Sequence, residues 1–100
     1  MSDHDLGRIC FDAGDLRQFY RVSADANPVH AGGVVYGMQL LAWIEGQLCT
    51  AYHWQQVTAL DYRLHRPVMI GQQVVLRASG TGFVVLVAGA VVGRGWAHGA

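Results

Sequence analysis

Residues 57–65 alternate in character: Leu60, Tyr62 and Leu64 fall on one parity, Asp61, Arg63 and His65 on the other. Successive side chains of a strand point to opposite faces, so this stretch predicts a half-buried strand. Val74, Leu76 and Ala78 repeat with the same period, with Gln73 and Arg77 facing outward, and predict a second strand. Pro67 and Gly71 mark the turn between them, and Ser79-Gly80-Thr81-Gly82 supplies hairpin chemistry after the second. Phe83 to Val92 then reads as a third strand, apolar on both faces and therefore central or at an interface. Gly93-Arg94-Gly95 is expected to turn into a short last strand at Trp96, and Arg8 to Phe11 forms a short first strand.

Between the first strand and residue 57 the period changes. Asp12-Ala13-Gly14-Asp15 carries helix-start chemistry, because carboxylates cap free N–H groups and suit the positive end of a helix. Leu16, Phe19, Tyr20 and Ser23 follow at helical spacing, with Arg17, Gln18 and Arg21 opposite, which predicts a short amphipathic helix over residues 15–23. It must end before Pro28, since the residue ahead of a proline disfavours helical angles. From Gly37 to Cys49, Met38, Leu40, Leu41, Ala42, Trp43, Ile44 and Leu48 leave little polar surface beyond Gln39, Glu45 and Gln47. A helix this apolar is a buried one. Ala51 to Gln56 reads as connection. One buried helix followed by antiparallel strands on short turns gives an α+β domain, a curved antiparallel sheet wrapped around a central helix. It occupies residues 1–100 as a single domain, with residues 1–7 expected to be a loose lead.

Composition adds an expectation about assembly. Of the 100 residues, 52% are hydrophobic and only 14% charged, more apolar than a small monomer readily hides. A homodimer whose sheets join edge to edge, or a dimer of such dimers, would cover the surplus. The seven basic residues are all Arg, they balance seven acids, and no basic stripe exists, which argues against a nucleic-acid partner. The longest apolar run is too short to span a bilayer, so no membrane partner is expected. Met1 to Asp5 is polar, so no secretion signal is expected, and Cys10 and Cys49 lack a paired motif spacing. Reduced thiols in a cytoplasmic protein are the expectation.

The chemistry concentrates in Ser23-Ala24-Asp25-Ala26-Asn27-Pro28-Val29-His30. A carboxylate and an imidazole stand five residues apart across an Asn-Pro turn. Ala31-Gly32-Gly33 follows, and then the apolar helix opening at Tyr36-Gly37-Met38. Acid–base chemistry beside a carbonyl needs a base, an acid, and a donor for the oxygen that gains charge. Asp25 and His30 can share the first two tasks. An unpaired backbone N–H at a helix start meets the third, and Gly37 lets a ligand approach it closely. Asp-Ala-Asn-Pro is also ordinary turn composition, so a turn-forming role for Asp25 stands beside the catalytic one.

Other candidates carry less. Asp25, His30, His53 and His65 show no ligand pair at zinc spacing, so no metal is expected, and His53 and His65 read as surface or strand residues. Gly93-x-Gly95 has no helix after it, which removes a dinucleotide fingerprint and leaves no cofactor expected. Glu45 is either a second acid or a helix-end residue at the solvent edge, and the second reading is preferred. Met38 and Trp43 read as core, and Ser23 as a local hydrogen-bonder at the helix end.

The motif Ser23 to His30 resembles that of the MaoC-like, (R)-specific enoyl-thioester hydratases and dehydratases, which have the hot-dog fold. Tyr36-Gly37-Met38 is similar to that family's His-Gly-Met opening of the central helix, and Tyr62 to Gly71, with Arg66-Pro67-Val68, to its strand and Pro-Val turn. The likeness covers residues 9–98. It implies a lyase acting on an enoyl or 3-hydroxyacyl thioester of coenzyme A or an acyl carrier protein. By position, Asp25 and His30 match the acid/base pair and the Gly37 N–H the oxyanion donor. Ser23, Asn27, Pro28, Tyr36 and Met38 would shape the site. The chain departs from the pattern in Ala24, where the family has Gly, in Tyr36, where it has His, and in the short Ala31–Tyr36 segment. These departures keep two alternatives open: a cyclase or isomerase of polyketide-type biosynthesis, and a non-catalytic acyl-thioester binding module.

Overall fold

The computed structural model describes residues 4–15, 34, 35, 37–79 and 82–100. Among them, five strands, β1 (Asp5–Cys10), β2 (Val57–Leu64), β3 (Gln73–Ser79), β4 (Gly82–Val87) and β5 (Ala90–Gly99), surround one long helix, α1 (Gly37–Tyr52). The sheet is antiparallel throughout, in the order β1-β3-β4-β5-β2. This is the expected α+β arrangement, a curved sheet with a helix against its inner face.

The expected inner faces hold. Val74, Leu76 and Ala78 of β3 are buried, and their cross-strand partners Val87, Val85 and Phe83 continue the same face on β4. Leu60, Tyr62 and Leu64 of β2 pack against the core from the far side. From α1, Leu40, Ile44 and Leu48 fill the centre at a spacing of four. That spacing keeps all three on one side of a helix, and burying each contributes about 1.5–3 kcal/mol. Burial is confined to this stripe: Ala42 and Gly46 face outward, and Met38, expected in the core, is 67% exposed.

Several boundaries differ from expectation. The run Phe83 to Val92 is not one strand. It folds back at Ala88-Gly89, with Leu86 facing Val91 and Val87 facing Ala90. Both turn residues have positive φ, 51° at Ala88 and 78° at Gly89, the geometry of a type I′ hairpin. An apolar alanine in that turn hides it from a reading of hydropathy. The Gly93-Arg94-Gly95 stretch is accordingly strand, paired with Leu64, Arg63 and Tyr62. Gly95 has no space for a side chain: a Cβ would press on the Asp61 carbonyl oxygen and lie 2.9 Å from Phe83 Cζ.

β1 starts at Asp5, so residues 5–7 belong to the sheet rather than to a loose lead. α1 runs to Tyr52, three residues past the expected end, and the connection is correspondingly shorter. Glu45 therefore stands in mid-helix and half-buried, not at a helix end. The hairpin between β3 and β4 is set by the Ser79–Gly82 pairing, with residues 80 and 81 outside the described residues.

Candidate active site at the start of the helix

The helix start is held by its neighbours in sequence. Val34 forms an antiparallel bridge with Met69, and the Val35 N–H donates to the Val68 carbonyl at 2.7 Å. Val35 and Val68 are both buried, so this joint is a solid part of the core. The Pro67–Gly71 turn supports it. Gly71 sits at φ 84°, where glycine is favoured. Its N–H donates to the Phe11 carbonyl at 2.9 Å, and the Met69 N–H donates to Gln72 Oε1 at 2.9 Å. The chain thus enters α1 from a fixed point on the sheet.

The second anchor is Asp12-Ala13-Gly14-Asp15. The Asp15 N–H donates to Asp12 Oδ1 and the Asp12 N–H to Asp15 Oδ2, each at 2.8 Å. This reciprocal pair is a capping box, and residues 13–15 are helical. The helix start expected from these acids is present, two residues earlier than expected. Gln39, in the first turn of α1, donates through Nε2 to the Asp15 carbonyl at 3.1 Å. Gln39 Oε1 is buried without a partner, which leaves an acceptor at the helix start. Sequence reasoning did not single out Gln39, although a lone amide in the first turn of an apolar helix was a signal.

Asp25 and His30, with Ser23, Asn27, Pro28 and Tyr36, lie outside the described residues. Both ends of the segment that carries the motif are nevertheless placed. It departs after Asp15, tied to the first turn of α1, and returns at Val34, three residues before that turn begins. Gly37 is an exposed residue that opens α1, and among the described residues, its chain neighbours and its own helix backbone aside, no atom lies within 4 Å of where its Cβ would be. The first turn of α1 contains no acid, so no carboxylate of that turn neutralises the positive end of the helix dipole. Met38 stands exposed beside it rather than in the core.

Other titratable groups lie away from this corner. Tyr62 packs beside Phe83 with ring centroids 6.1 Å apart, and its hydroxyl is buried without a partner. Burial pushes its pKa up to about 12, because the phenolate would lose its water. Asp5 is held below the usual carboxylate range by hydrogen bonds from Arg77 first and Arg8 second. His53 and His65 are exposed, as expected for surface positions. Among the described residues no group of three or more His, Cys, Asp or Glu is placed to hold a metal ion. Nor is any helix among them long and apolar enough to cross a membrane.

Family models and curated proteins give no match to the chain. Solved structures do. An (R)-hydratase from A. caviae involved in PHA biosynthesis superposes with a TM-score of 0.77 at 20% identity, covering 96% of this chain and 91% of that one. The R-hydratase PhaJ1 from Pseudomonas aeruginosa, in unliganded form, gives 0.76 at 22% identity, over 96% and 77% of the two chains. Protein af1124 from Archaeoglobus fulgidus gives 0.75 at 17% identity, over 96% and 74%. At these identities the likeness establishes the fold. The chain has the hot-dog fold of the (R)-hydratases, as the motif's resemblance implied.

Proposed function

We propose that this protein reversibly hydrates an enoyl thioester, or dehydrates the 3-hydroxyacyl thioester, with the acyl group on coenzyme A or an acyl carrier protein. One observation carries the reading. The segment bearing Asp25 and His30 leaves and returns at the N-terminal end of α1, where Gly37 presents an open backbone. The fold shared with two (R)-hydratases supports it.

In the hydration direction, Asp25 and His30 hold one water and remove its proton as the oxygen bonds to C3. The electron pair of the double bond moves to C2 and the thioester carbonyl, whose oxygen becomes enolate-like and accepts from the Gly37 N–H. The proton is then delivered to C2, which restores the carbonyl. Each proton transfer is worth about 10²- to 10⁴-fold. Asn27 and Pro28 shape the turn, Ser23 precedes it, and Tyr36 and Met38 flank the mouth. The reaction needs no cofactor or metal. A cyclase or isomerase reading draws on two features: the six residues Ala31 to Tyr36 between His30 and Gly37, which leave too little chain for a lid helix, and Tyr36 itself.

The functional unit in this reading is a homodimer. β2 is an eight-residue edge strand without proline, the kind of open edge that pairs with another copy. Light scattering is expected to give twice the 10.9 kDa chain mass, and a monomer at micromolar concentration would contradict it. Activity is tested on crotonyl-CoA and a series of longer enoyl-CoA substrates. Turnover on short chains, or broad tolerance of chain length, is expected. No turnover on any of them, nor on carrier-protein thioesters, would remove the hydratase reading in favour of a binding module.

A further inference from the structure

On the outer face of the sheet, away from α1, β2, β5, β4 and β3 line a shallow cleft of about 550 Å³ that is open to solvent. The strand register explains it. One cross-sheet row runs Asp61, Trp96, Gly82, Ser79, and the next runs Arg63, Arg94, Val84, Arg77. Gly82 and Ser79 have almost no side chain, so the sheet surface dips between Trp96 and the strand end. Gly82 is fixed as glycine here, since a Cβ would press on the Gly95 carbonyl oxygen. The dip is therefore built into the backbone.

The charges in this cleft are unbalanced. Arg63 and Arg94 are direct cross-strand partners. Such pairs have Cβ atoms about 4.5–5.5 Å apart, and like charges at that separation destabilise a sheet. Elsewhere on the same face the sheet neutralises its arginines: Asp5 receives Arg77 at 2.9 Å and Arg8 at 2.7 Å. Among the described residues neither Arg63 nor Arg94 has such a bond, although Asp61 stands in the next row. Trp96, 43% exposed, offers a flat ring at the cleft wall, with His98 5.3 Å from it. His65 adds a further donor at the rim.

We propose that this cleft binds a nucleoside phosphate. Its phosphate is held between Arg63 and Arg94, whose forked guanidiniums match phosphate oxygens in pairs, and its base lies on Trp96. Two arginines facing each other across a ladder are relieved by a dianion between them, and Trp96 stands in the neighbouring row for the base. The chemistry is shared by a free nucleotide and by the nucleotide end of coenzyme A. The site does not depend on the hydratase reading.

Calorimetric titration of the full chain with ADP, coenzyme A and inorganic phosphate tests it, with amide shift mapping by NMR as a second readout. ADP and coenzyme A are expected to compete for one site, with shifts centred on residues 61–65 and 94–96. Arg63→Gln and Arg94→Gln, both exposed positions, should each weaken ADP binding by about tenfold or more, the loss expected of a charged hydrogen bond. Trp96→Ala should weaken ADP binding and leave phosphate binding unchanged. Asp61→Asn should tighten both. Coenzyme A binding more tightly than ADP assigns the cleft to the carrier, and equal affinity assigns it to free nucleotides. Asp25→Asn should leave ADP affinity unaltered, which separates this site from the catalytic one. No saturable binding at millimolar ligand, unchanged affinity in both arginine variants, or shifts confined to another face would overturn the proposal.

Discussion

Two glycine-to-alanine substitutions should move stability in opposite directions, for reasons visible in the packing. Gly95 lies in β5 between two neighbouring strands, and an added methyl would meet the Asp61 carbonyl oxygen, Phe83 Cζ at 2.9 Å and Tyr62 Cα at 3.0 Å. Two of these are backbone atoms, which no rotamer change can move. Relief requires β2 and β5 to separate. Overpacking costs about 1–3 kcal/mol, and each ladder hydrogen bond lost adds about 1 kcal/mol. Gly95→Ala is thus expected to lose roughly 2–4 kcal/mol, at about 4–8 °C of melting temperature per kcal/mol for a domain this size. Gly46 is in mid-helix and exposed, and nothing lies within 4 Å of its missing Cβ. Gly46→Ala removes only the entropic cost of glycine in a helix, so it should gain about 0.5–1 kcal/mol. Far-UV circular dichroism melts at fixed protein concentration measure both. A neutral Gly95→Ala would refute the observed register of β2 and β5. A destabilising Gly46→Ala would refute the open outer face of α1.

Ala88 holds a left-handed φ of 51° in the β4–β5 turn, so Ala88→Asn should stabilise by about 0.5–1 kcal/mol, read as a higher melting temperature, because Asn-Gly is the preferred type I′ pair. The buried Tyr62 hydroxyl titrates near pH 12 in the fold, against an ordinary value of 10.0. The folded state then keeps its proton where the unfolded chain releases it, so this contribution is complete below pH 10 and is lost as pH rises toward 12. Tyr62→Phe should flatten that alkaline decline in denaturant melts without destabilising at neutral pH, since the hydroxyl has no partner to lose.

Alternation alone revealed the inner faces of β2 and β3, because each lies between a core and solvent and so carries a period of two. The β4–β5 hairpin was hidden for the opposite reason. Next to the turn both strands are apolar on both faces, and the turn uses Ala88 where a polar residue usually marks the reversal. Met38 was misread because hydropathy does not distinguish a buried helix position from an exposed apolar one at the helix start. At the candidate site, the Asp12–Asp15 box was legible as short-range capping chemistry. The contacts that fix the two ends of the motif segment, Gln39 with Asp15 and Val34 with Met69, join residues far apart in sequence, and the lone first-turn amide of Gln39 was their one local hint.

The central claim is that Asp25 and His30 act on one water beside the Gly37 N–H. It is tested most directly by turnover of Asp25→Asn, His30→Ala and the double variant on an enoyl-CoA substrate, each first checked for wild-type melting and assembly. Each single variant should lose about 10²-fold or more in kcat. The double variant should lose far less than the product of the two, because the groups work as a unit. Near wild-type turnover in both single variants would contradict the account.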